Sequence, residues 1–216
     1  MKKTSSGSNQ ISDVSIRRLS CYLRTLDILE KTGVDIVSSR KLAEIEGASD
    51  GLIRKDLSLF GSFGVRGIGY PVAVLKENII KILGLDRKWK VILIGVGETS
   101  RTFLDSETFK KRNFQIIKIF NEAPKLIGSK IYDLVIEDLN NLEKEIDPRL
   151  VDLAIVAVPP PNVQSIIDRL GKIGVRGALY FASRSVSVPD NMIVRNLDMS
   201  IELGTLTYHI AGNISN

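Results

Sequence analysis

Ile53-Arg54-Lys55-Asp56-Leu57-Ser58, followed two residues later by Gly61-Ser62-Phe63-Gly64-Val65-Arg66-Gly67-Ile68-Gly69-Tyr70-Pro71, is the stretch that decides the architecture of the first part of the chain. At about 100° per residue, Ile53, Leu57 and Phe60 fall within one arc, while Arg54, Lys55 and Ser58 lie opposite. A helix over 51–60 therefore buries one face and turns a basic, hydrogen-bonding face outward. Arg grips guanine with two parallel hydrogen bonds and Lys reaches guanine or phosphate, so these residue types suit groove reading. Asp56 is aimed elsewhere and is placed to orient a neighbouring Arg. The glycines at 61, 64, 67 and 69, interleaved with Phe63, Val65, Ile68 and Tyr70, predict a tight β-hairpin with Arg66 near its tip. A hairpin directly after such a helix is the wing of a winged helix. The Arg66-Gly67 tip fits a narrow minor groove, where negative potential concentrates. A phosphate-cradling loop is the rival reading, but no strand precedes the glycines and no P-loop Lys-Ser/Thr follows.

Upstream, Ile16, Leu19, Tyr22, Leu23, Leu26 and Leu29 recur at helical spacing over 14–31, and Gly33 ends that helix. A short β-prone stretch over 34–37 leads to Ser38-Ser39, which cap a second helix over 40–46 closed by Gly47. Helices two and three, joined by a turn containing Gly47, form a helix-turn-helix. Ser38, Ser39, Arg54, Lys55, Ser58, Arg66 and Gly67 are the candidate DNA-binding residues. A fourth amphipathic helix over 72–83 closes this domain, and 84–89 is the candidate linker. Charge agrees with the division. Residues 1–90 hold 16 Lys+Arg against 10 Asp+Glu, and residues 91–216 hold 14 against 15. A basic first part joined to a near-neutral second part suits one polyanion-binding domain and one with another task.

In the second part, a β-branched run over 90–94 ends in Gly95-Val96-Gly97-Glu98-Thr99-Ser100, where a dinucleotide-binding strand meets its Gly-rich turn and helix. Two glycines permit the tight turn and close backbone approach to pyrophosphate. The third position, which governs helix-on-strand packing, is Ser100. A second strand over 114–120 ends at Asn121-Glu122, where an acidic residue normally takes the ribose hydroxyls of NAD. Asn121 can still hydrogen-bond, Glu122 is the substitute if the backbone turns suitably, and neither supplies the Arg that a 2′-phosphate needs. The alternation continues through a strand or irregular segment over 131–135, a helix over 139–146, a strand over 152–158 ending in Pro159-Pro160-Pro161, a helix over 163–173 and a strand over 177–181. This is an α/β, doubly wound, mostly parallel sheet. Ligands in such sheets sit beyond the carboxyl ends of the strands, so Ala157, Val158, Pro159, Phe181 and Ala182 join residues 95–100, Asn121 and Glu122 as candidate NAD(H) contacts. The last segment, with Met199, Ile201, Leu203, Leu206 and Ile210, is an amphipathic helix that needs an apolar partner in its own domain or in a second subunit. The expected divisions are a disordered tail over 1–10, a winged helix over 11–85, a Rossmann domain over 86–197 and a dimerisation helix with its tail over 198–216.

With 44% hydrophobic residues the chain can bury a core. One Cys and one His exclude a disulfide framework and a zinc constellation, so no metal is expected. No apolar run approaches the roughly 18 residues of a membrane span, and a soluble cytosolic protein is the expectation. His209 suits surface or packing, Cys21 a small core position. No nucleophile-base order or distinctive carboxylate pair appears, as expected of a domain that binds a nucleotide without turning it over.

The sequence resembles the Rex family of redox-sensing transcriptional repressors from about Ile11 to Ile210. The likeness is carried by the stretches 16–24, 37–39, 82–89 and 194–198, and above all by R-K-D-L-S at 54–58 preceded by Ile53, with F-G-S-F-G-V-R-G-I-G-Y at 60–70. The resemblance implies a homodimer with an N-terminal winged helix, a Rossmann domain and a terminal helix exchanged between subunits. It also implies binding to a palindromic operator when NAD⁺ is high and release when NADH rises. By position, Arg54 and Lys55 match the recognition helix, Arg66-Gly67 the minor-groove wing, and Arg24 and Asp198 an interdomain pair sensitive to reduced nicotinamide. Departures fall in the second half: Ser100 for the third glycine, Asn121 for the ribose-binding Asp, Ser106 for the Tyr of the nicotinamide switch, and Met199 for an aromatic residue. Three functions compete: a repressor gated by NAD(H), the principal reading; a repressor whose NAD(H) response is weakened, lost or changed to another nucleotide, motivated by the four departures; and a dehydrogenase or CoA-binding enzyme, resting on the Rossmann pattern alone.

Overall fold

A computed structural model describes residues 11–214; the tail expected at 1–10 lies outside the described residues. The chain divides into two compact units, Met1–Arg87 and Lys88–Asn216.

The first unit runs α1 (Asp13–Lys31), β1 (Ile36–Val37), α2 (Ser39–Glu46), α3 (Asp50–Ser58), β2 (Tyr70–Pro71) and α4 (Val72–Ile82). Serines begin the first three helices: Ser12, Ser38 and Ser49 accept hydrogen bonds from the backbone N–H of Ser15, Lys41 and Leu52. These bonds satisfy donors that a helix start leaves without partners. Leu19, Tyr22, Leu23 and Leu26 of α1 close on Leu42, Ile53, Leu57, Leu75 and Ile79 to form the core. The third helix stops at Ser58, before Phe60, yet Phe60 still packs against that core. Cys21 is half-buried, at the margin of the core rather than within it.

Asp56 faces inward with Ile53 and Leu57 and is 1% exposed. Arg18 of α1 donates to it from both Nε and Nη2, the latter at 2.6 Å, and the Tyr22 hydroxyl donates at 2.7 Å. Burial alone raises the Asp56 carboxyl, but these hydrogen bonds outweigh it and hold the group below its ordinary value. Burial and the Asp56 carboxylate push the Tyr22 hydroxyl well up. The Arg that Asp56 orients is therefore on α1, not on its own helix.

The wing differs from a simple hairpin. Its tip is closed by Val65 and Gly69, which form an isolated bridge with Val65 N–H donating to Gly69 O at 2.8 Å. The returning arm β2 pairs antiparallel with β1, Ile36 opposite Pro71 and Val37 opposite Tyr70. A Cβ on Gly69, at φ +122°, would stand 2.7 Å from Val37 O. Glycine there lets the wing lie against the strand that precedes α2.

The second unit contains β3 (Trp89–Ile94), α5 (Glu98–Leu104), α6 (Glu107–Lys111), β4 (Phe114–Asn121), β5 (Lys130–Ile131), β6 (Leu134–Asp138), α7 (Leu142–Glu145), β7 (Leu153–Val156), α8 (Pro160–Ile173), β8 (Gly177–Tyr180), β9 (Ile193–Asn196) and α9 (Met199–Ile214). The sheet order is β5-β6-β4-β3-β7-β8-β9, and only β5 runs antiparallel. Setting β5 aside, the six parallel strands have the doubly wound order that reverses between β3 and β7. Both faces of β3 are covered: Ile92 and Ile94 pack with α8, Val91 and Leu93 with Leu104 and Ile119. That burial explains its uninterrupted apolar run.

Several boundaries differ from the sequence expectation. The segment over 131–135 is the turn and flanking residues of the β5–β6 hairpin, and the helix over 139–146 is a 3₁₀ turn, Leu139–Asn141, followed by α7. Pro160 and Pro161 do not end a strand but open α8, where a missing N–H costs nothing and a fixed φ suits the first turn. Strand β9 and the short α6 were not expected. The terminal helix extends to Ile214, and Met199, Ile201, Leu203, Leu206 and Ile210 along it are all exposed, as is His209.

Arg18→Ala should destabilise the first unit by about 2–3 kcal/mol, less than the full cost of breaking a wholly buried pair because the Arg18 side chain is itself 28% exposed. The folded-state pKa of Asp56 is depressed, so the pair stabilises above about pH 4 and loses its effect as pH falls through the folded pKa. Denaturant titration should accordingly show the deficit of the variant growing from acid towards neutral pH, and a pH-independent deficit would contradict the pairing.

Candidate functional site

Each unit carries its own site. In the first, α3, the start of α2 and the wing enclose a cleft of about 510 Å³ lined by Ser38, Ser39, Arg54, Ser58, Arg66 and Gly67 among others. Lys55 is exposed on α3 beside it. Arg54 Nη1 donates to Asp50 at 2.6 Å and to Ser39 Oγ at 3.2 Å, which aims the guanidinium across the cleft towards the start of α2. That hydrogen bond from Arg54 holds the Asp50 carboxyl below its ordinary value. Ser58 Oγ donates to Lys55 O at 2.8 Å. Arg66 is exposed at the wing tip, and Gly67 takes φ +79°, a left-handed value that glycine adopts without strain. The start of α2, the outer face of α3 and the wing thus converge on one concavity that carries Arg54 and Arg66.

In the second unit, a cleft of about 190 Å³ opens at the carboxyl ends of β3, β4 and β7 and is lined by Gly95, Val96, Asn121, Glu122, Ala157, Val158 and Pro159, together with Ala123, Leu126 and Leu139. Gly95 has φ +94°, and a Cβ on it would lie 2.2 Å from Ala157 O. Its N–H donates to Phe120 O at 2.8 Å, and the N–H of Ala157 donates to Ile94 O at 2.8 Å. The turn is therefore pinned to both neighbouring strands. Gly97 leads into α5, and a Cβ there would meet nothing within 4 Å, so its surroundings are open to a close-approaching ligand backbone. Glu98 and Thr99 are exposed beside it. Ser100 is fully buried, and its Oγ exchanges hydrogen bonds with Gly97, accepting from N–H and donating to O, both at 2.7 Å. Ser at the third glycine position thus ties the turn to its own helix.

Asn121 is buried, and its Oδ1 accepts from Ala123 N–H at 2.8 Å. Glu122 receives a hydrogen bond from Asn162 Nδ2, 3.1 and 3.3 Å from its two oxygens. Asn162, in the first turn of α8, was not singled out from sequence; the signal that could have found it is the Pro160-Pro161 helix start. Phe181 and Ala182 follow β8, outside this cleft. Phe181 packs on Phe103 of α5 at a ring-centroid distance of 5.3 Å, and Ala182 joins the core. Ser106 caps α6, accepting from Phe109 N–H at 3.2 Å. Asp198 accepts from Ser200 N–H at 2.9 Å and Ser200 Oγ at 2.7 Å, with Ser183 Oγ at 3.4 Å, and these bonds hold it below its ordinary pKa. Met199 is exposed at the start of α9, and Arg24 is exposed on α1 of the first unit. No group of three or more His, Cys, Asp and Glu suited to a metal occurs among the described residues. Among the same residues, no helix is long and apolar enough to cross a membrane.

Comparison with known proteins agrees with this two-site layout. Residues 10–58 match a putative DNA-binding protein N-terminus and residues 86–184 a CoA binding domain. The redox-sensing transcriptional repressor Rex of Syntrophomonas wolfei is 39% identical over 204 residues, covering 94% of this chain and 97% of the relative. The Rex of Chloroflexus aggregans is 40% identical over 204 residues, covering 94% and 96%. The chain belongs to the Rex family of redox-sensing transcriptional repressors. Among solved structures, the Rex-family repressor RSP in complex with β-NAD⁺ and operator DNA superposes with a TM-score of 0.88 at 36% identity, covering 95% of each chain. RSP in complex with β-NADH gives 0.85 at 34% identity, covering 95% of this chain and 97% of RSP.

Gly95→Ala should destabilise the second unit by about 2 kcal/mol or more, because a left-handed backbone and a backbone collision are imposed together. Thermal unfolding followed by circular dichroism checks this, and an unchanged midpoint would contradict the close approach of β3 and β7.

Proposed function

We propose that this chain acts as a homodimeric repressor that binds an inverted-repeat operator when NAD⁺ is high and leaves it when NADH binds. The single observation that carries the reading is the combination, in one chain, of a cleft built from α2, α3 and the wing that carries Arg54 and Arg66 with a second cleft at the sheet reversal lined by Gly95, Asn121 and Glu122. α3 enters the major groove with Arg54, Lys55 and Ser58 on its outer face; Ser38 and Ser39 meet the backbone at the start of α2; Arg66-Gly67 enters the adjoining minor groove. A two-fold dimer presents two such helices about one helical turn of DNA apart, so the operator is an inverted repeat. The unpartnered apolar residues of α9, Leu203 and Leu206 among them, supply the dimer contact.

The fit of the second cleft to NAD(H) rests on the open surroundings of Gly97, the close strand contact at Gly95 and the polar pair Asn121-Glu122. Bound dinucleotide supplies a redox-dependent ligand and no turnover. Val96 and the exposed residues 97–99 would hold its pyrophosphate, with Ser100 fixing the turn from below, Ala157, Val158 and Pro159 would flank the opposite wall, and Phe181, Ala182 and Ser106 would serve the nicotinamide end. Arg24 and Asp198, with Met199, are the groups whose contacts change between the two dimer states. NADH shifts that equilibrium only by its differential affinity for the two states, about 1 to 3 kcal/mol in allosteric systems. A repressor with a weakened, lost or changed nucleotide response is not favoured: the relatives are named for redox sensing, and RSP is known with both β-NAD⁺ and β-NADH. A DNA-bound repressor of this kind works in the cytoplasm.

Operator binding titrated with NADH and NAD⁺ should show release by NADH and retention with NAD⁺; equal, negligible effects of both would overturn the gating. Lys55→Ala should weaken operator binding and lower the slope of log affinity against log salt by about one unit if it meets phosphate, and an unchanged affinity would remove Lys55 from the interface. Leu206→Asp should shift the sedimentation profile from dimer to monomer, because it places a charge in the centre of an apolar contact.

A further inference from the structure

The residue that ends β4 no longer offers what a ribose asks for. Asn121 is 7% exposed and its only acceptor atom, Oδ1, is engaged by Ala123 N–H at 2.8 Å. What remains is one lone pair of that oxygen, enough for one hydroxyl of a pair, beside an NH₂ that only donates. A vicinal diol presents two O–H groups that need acceptors, and an amide NH₂ supplies none. Glu122, the next residue, lines the same cleft as Asn121. Its carboxylate is bridged by Asn162 Nδ2, 3.1 and 3.3 Å from the two oxygens. Asn162 stands on a firm base: Pro160 and Pro161 set the start of α8, and Val163, Ile166 and Ile167 anchor that helix in the core. One amide nitrogen facing two oxygens leaves at least two of the roughly four lone-pair positions of a carboxylate open to further donors. None of the residues lining the cleft is Lys or Arg.

We infer that Glu122, held by Asn162, is the acceptor for the ribose hydroxyls and the residue that rejects a 2′-phosphorylated nucleotide. The inference rests on the NAD(H) reading above and assigns the specificity of that site. Glu122 receives the 2′- and 3′-hydroxyl protons directly. Asn162 is a positioning residue, since without it an exposed glutamate samples many rotamers and loses affinity to ordering. The Asn121 amide serves as an ancillary donor to a ribose oxygen. A 2′-phosphate brings negative charge against the Glu122 carboxylate with no cation in the lining to offset it.

Calorimetric titration of the full chain with NADH and with NADPH tests the assignment on the parent, Glu122→Gln, Asn162→Ala and the double variant. The parent should prefer NADH. Glu122→Gln should lose about tenfold in NADH affinity, the scale of one charge-assisted hydrogen bond, and should narrow the preference over NADPH by more than that factor. Asn162→Ala should lose roughly threefold in the parent background and nothing further in the Glu122→Gln background, a pattern that a general structural effect would not produce. A parent that binds NADH alongside a Glu122→Gln variant with parental affinity and discrimination overturns this inference alone, as do additive losses in the double variant. A parent that binds neither nucleotide overturns the NAD(H) reading and this inference with it.

Discussion

A carboxylate in the middle of a short helix, taken out of water, sets the geometry of the first unit. Asp56 occupies an inward position of α3 and is satisfied by a two-pronged guanidinium and a phenol from α1. Removing either partner would strand a charge in a medium that cannot solvate it. The ion pair therefore fixes how α3 is rotated about its own axis, which the apolar contacts of Ile53 and Leu57 alone would leave looser. With that rotation set, Arg54, Lys55 and Ser58 face outward together. Asp50 and Ser39 then hold the Arg54 side chain in place, so less freedom is lost when it meets a ligand.

The second unit depends on a different economy of space. Gly95 comes so close to Ala157 that no side chain fits between them, and the strands on either side of β3 are drawn to the same turn. This is where the sheet reverses direction and where a crevice must open. The floor of that crevice is thus built from backbone, with Gly97 left open above it. Asn121 and Glu122 are the polar side chains of its lining, and Asn162 reaches Glu122. Ser100 uses the room vacated by a glycine to bind the turn to α5, a local solution that preserves the packing the fold requires.

Coupling the two sites requires an element with two arrangements, and α9 is the natural candidate. A helix whose apolar residues are exposed along its length is incomplete as part of a monomer. Its first turn begins directly after Asp198, which is engaged by Ser200 and Ser183.

Local chemistry was enough to read most of the helices and the interior strands of the sheet. Apolar spacing marked α1 and α3, Ser38-Ser39 marked the start of α2, and the buried β3 showed as a continuous apolar run. Glycines marked the wing and the nucleotide turn, because only residues without Cβ permit those backbone angles and approaches. Edge strand β9 carried no such mark: Ile193, Arg195 and Asn196 are exposed, so no apolar alternation selects it. The pairing of the wing with β1, the partnership of Asp56 with Arg18, and the bridge from Asn162 to Glu122 join residues 33 to 40 positions apart. The sequence by itself determined the fold class of each of two domains and offered candidate residues for a site in each. Which side chain engages which was decided only by tertiary structure, because hydrogen bonds between distant segments depend on how the cores orient their helices and leave no periodic trace in the chain.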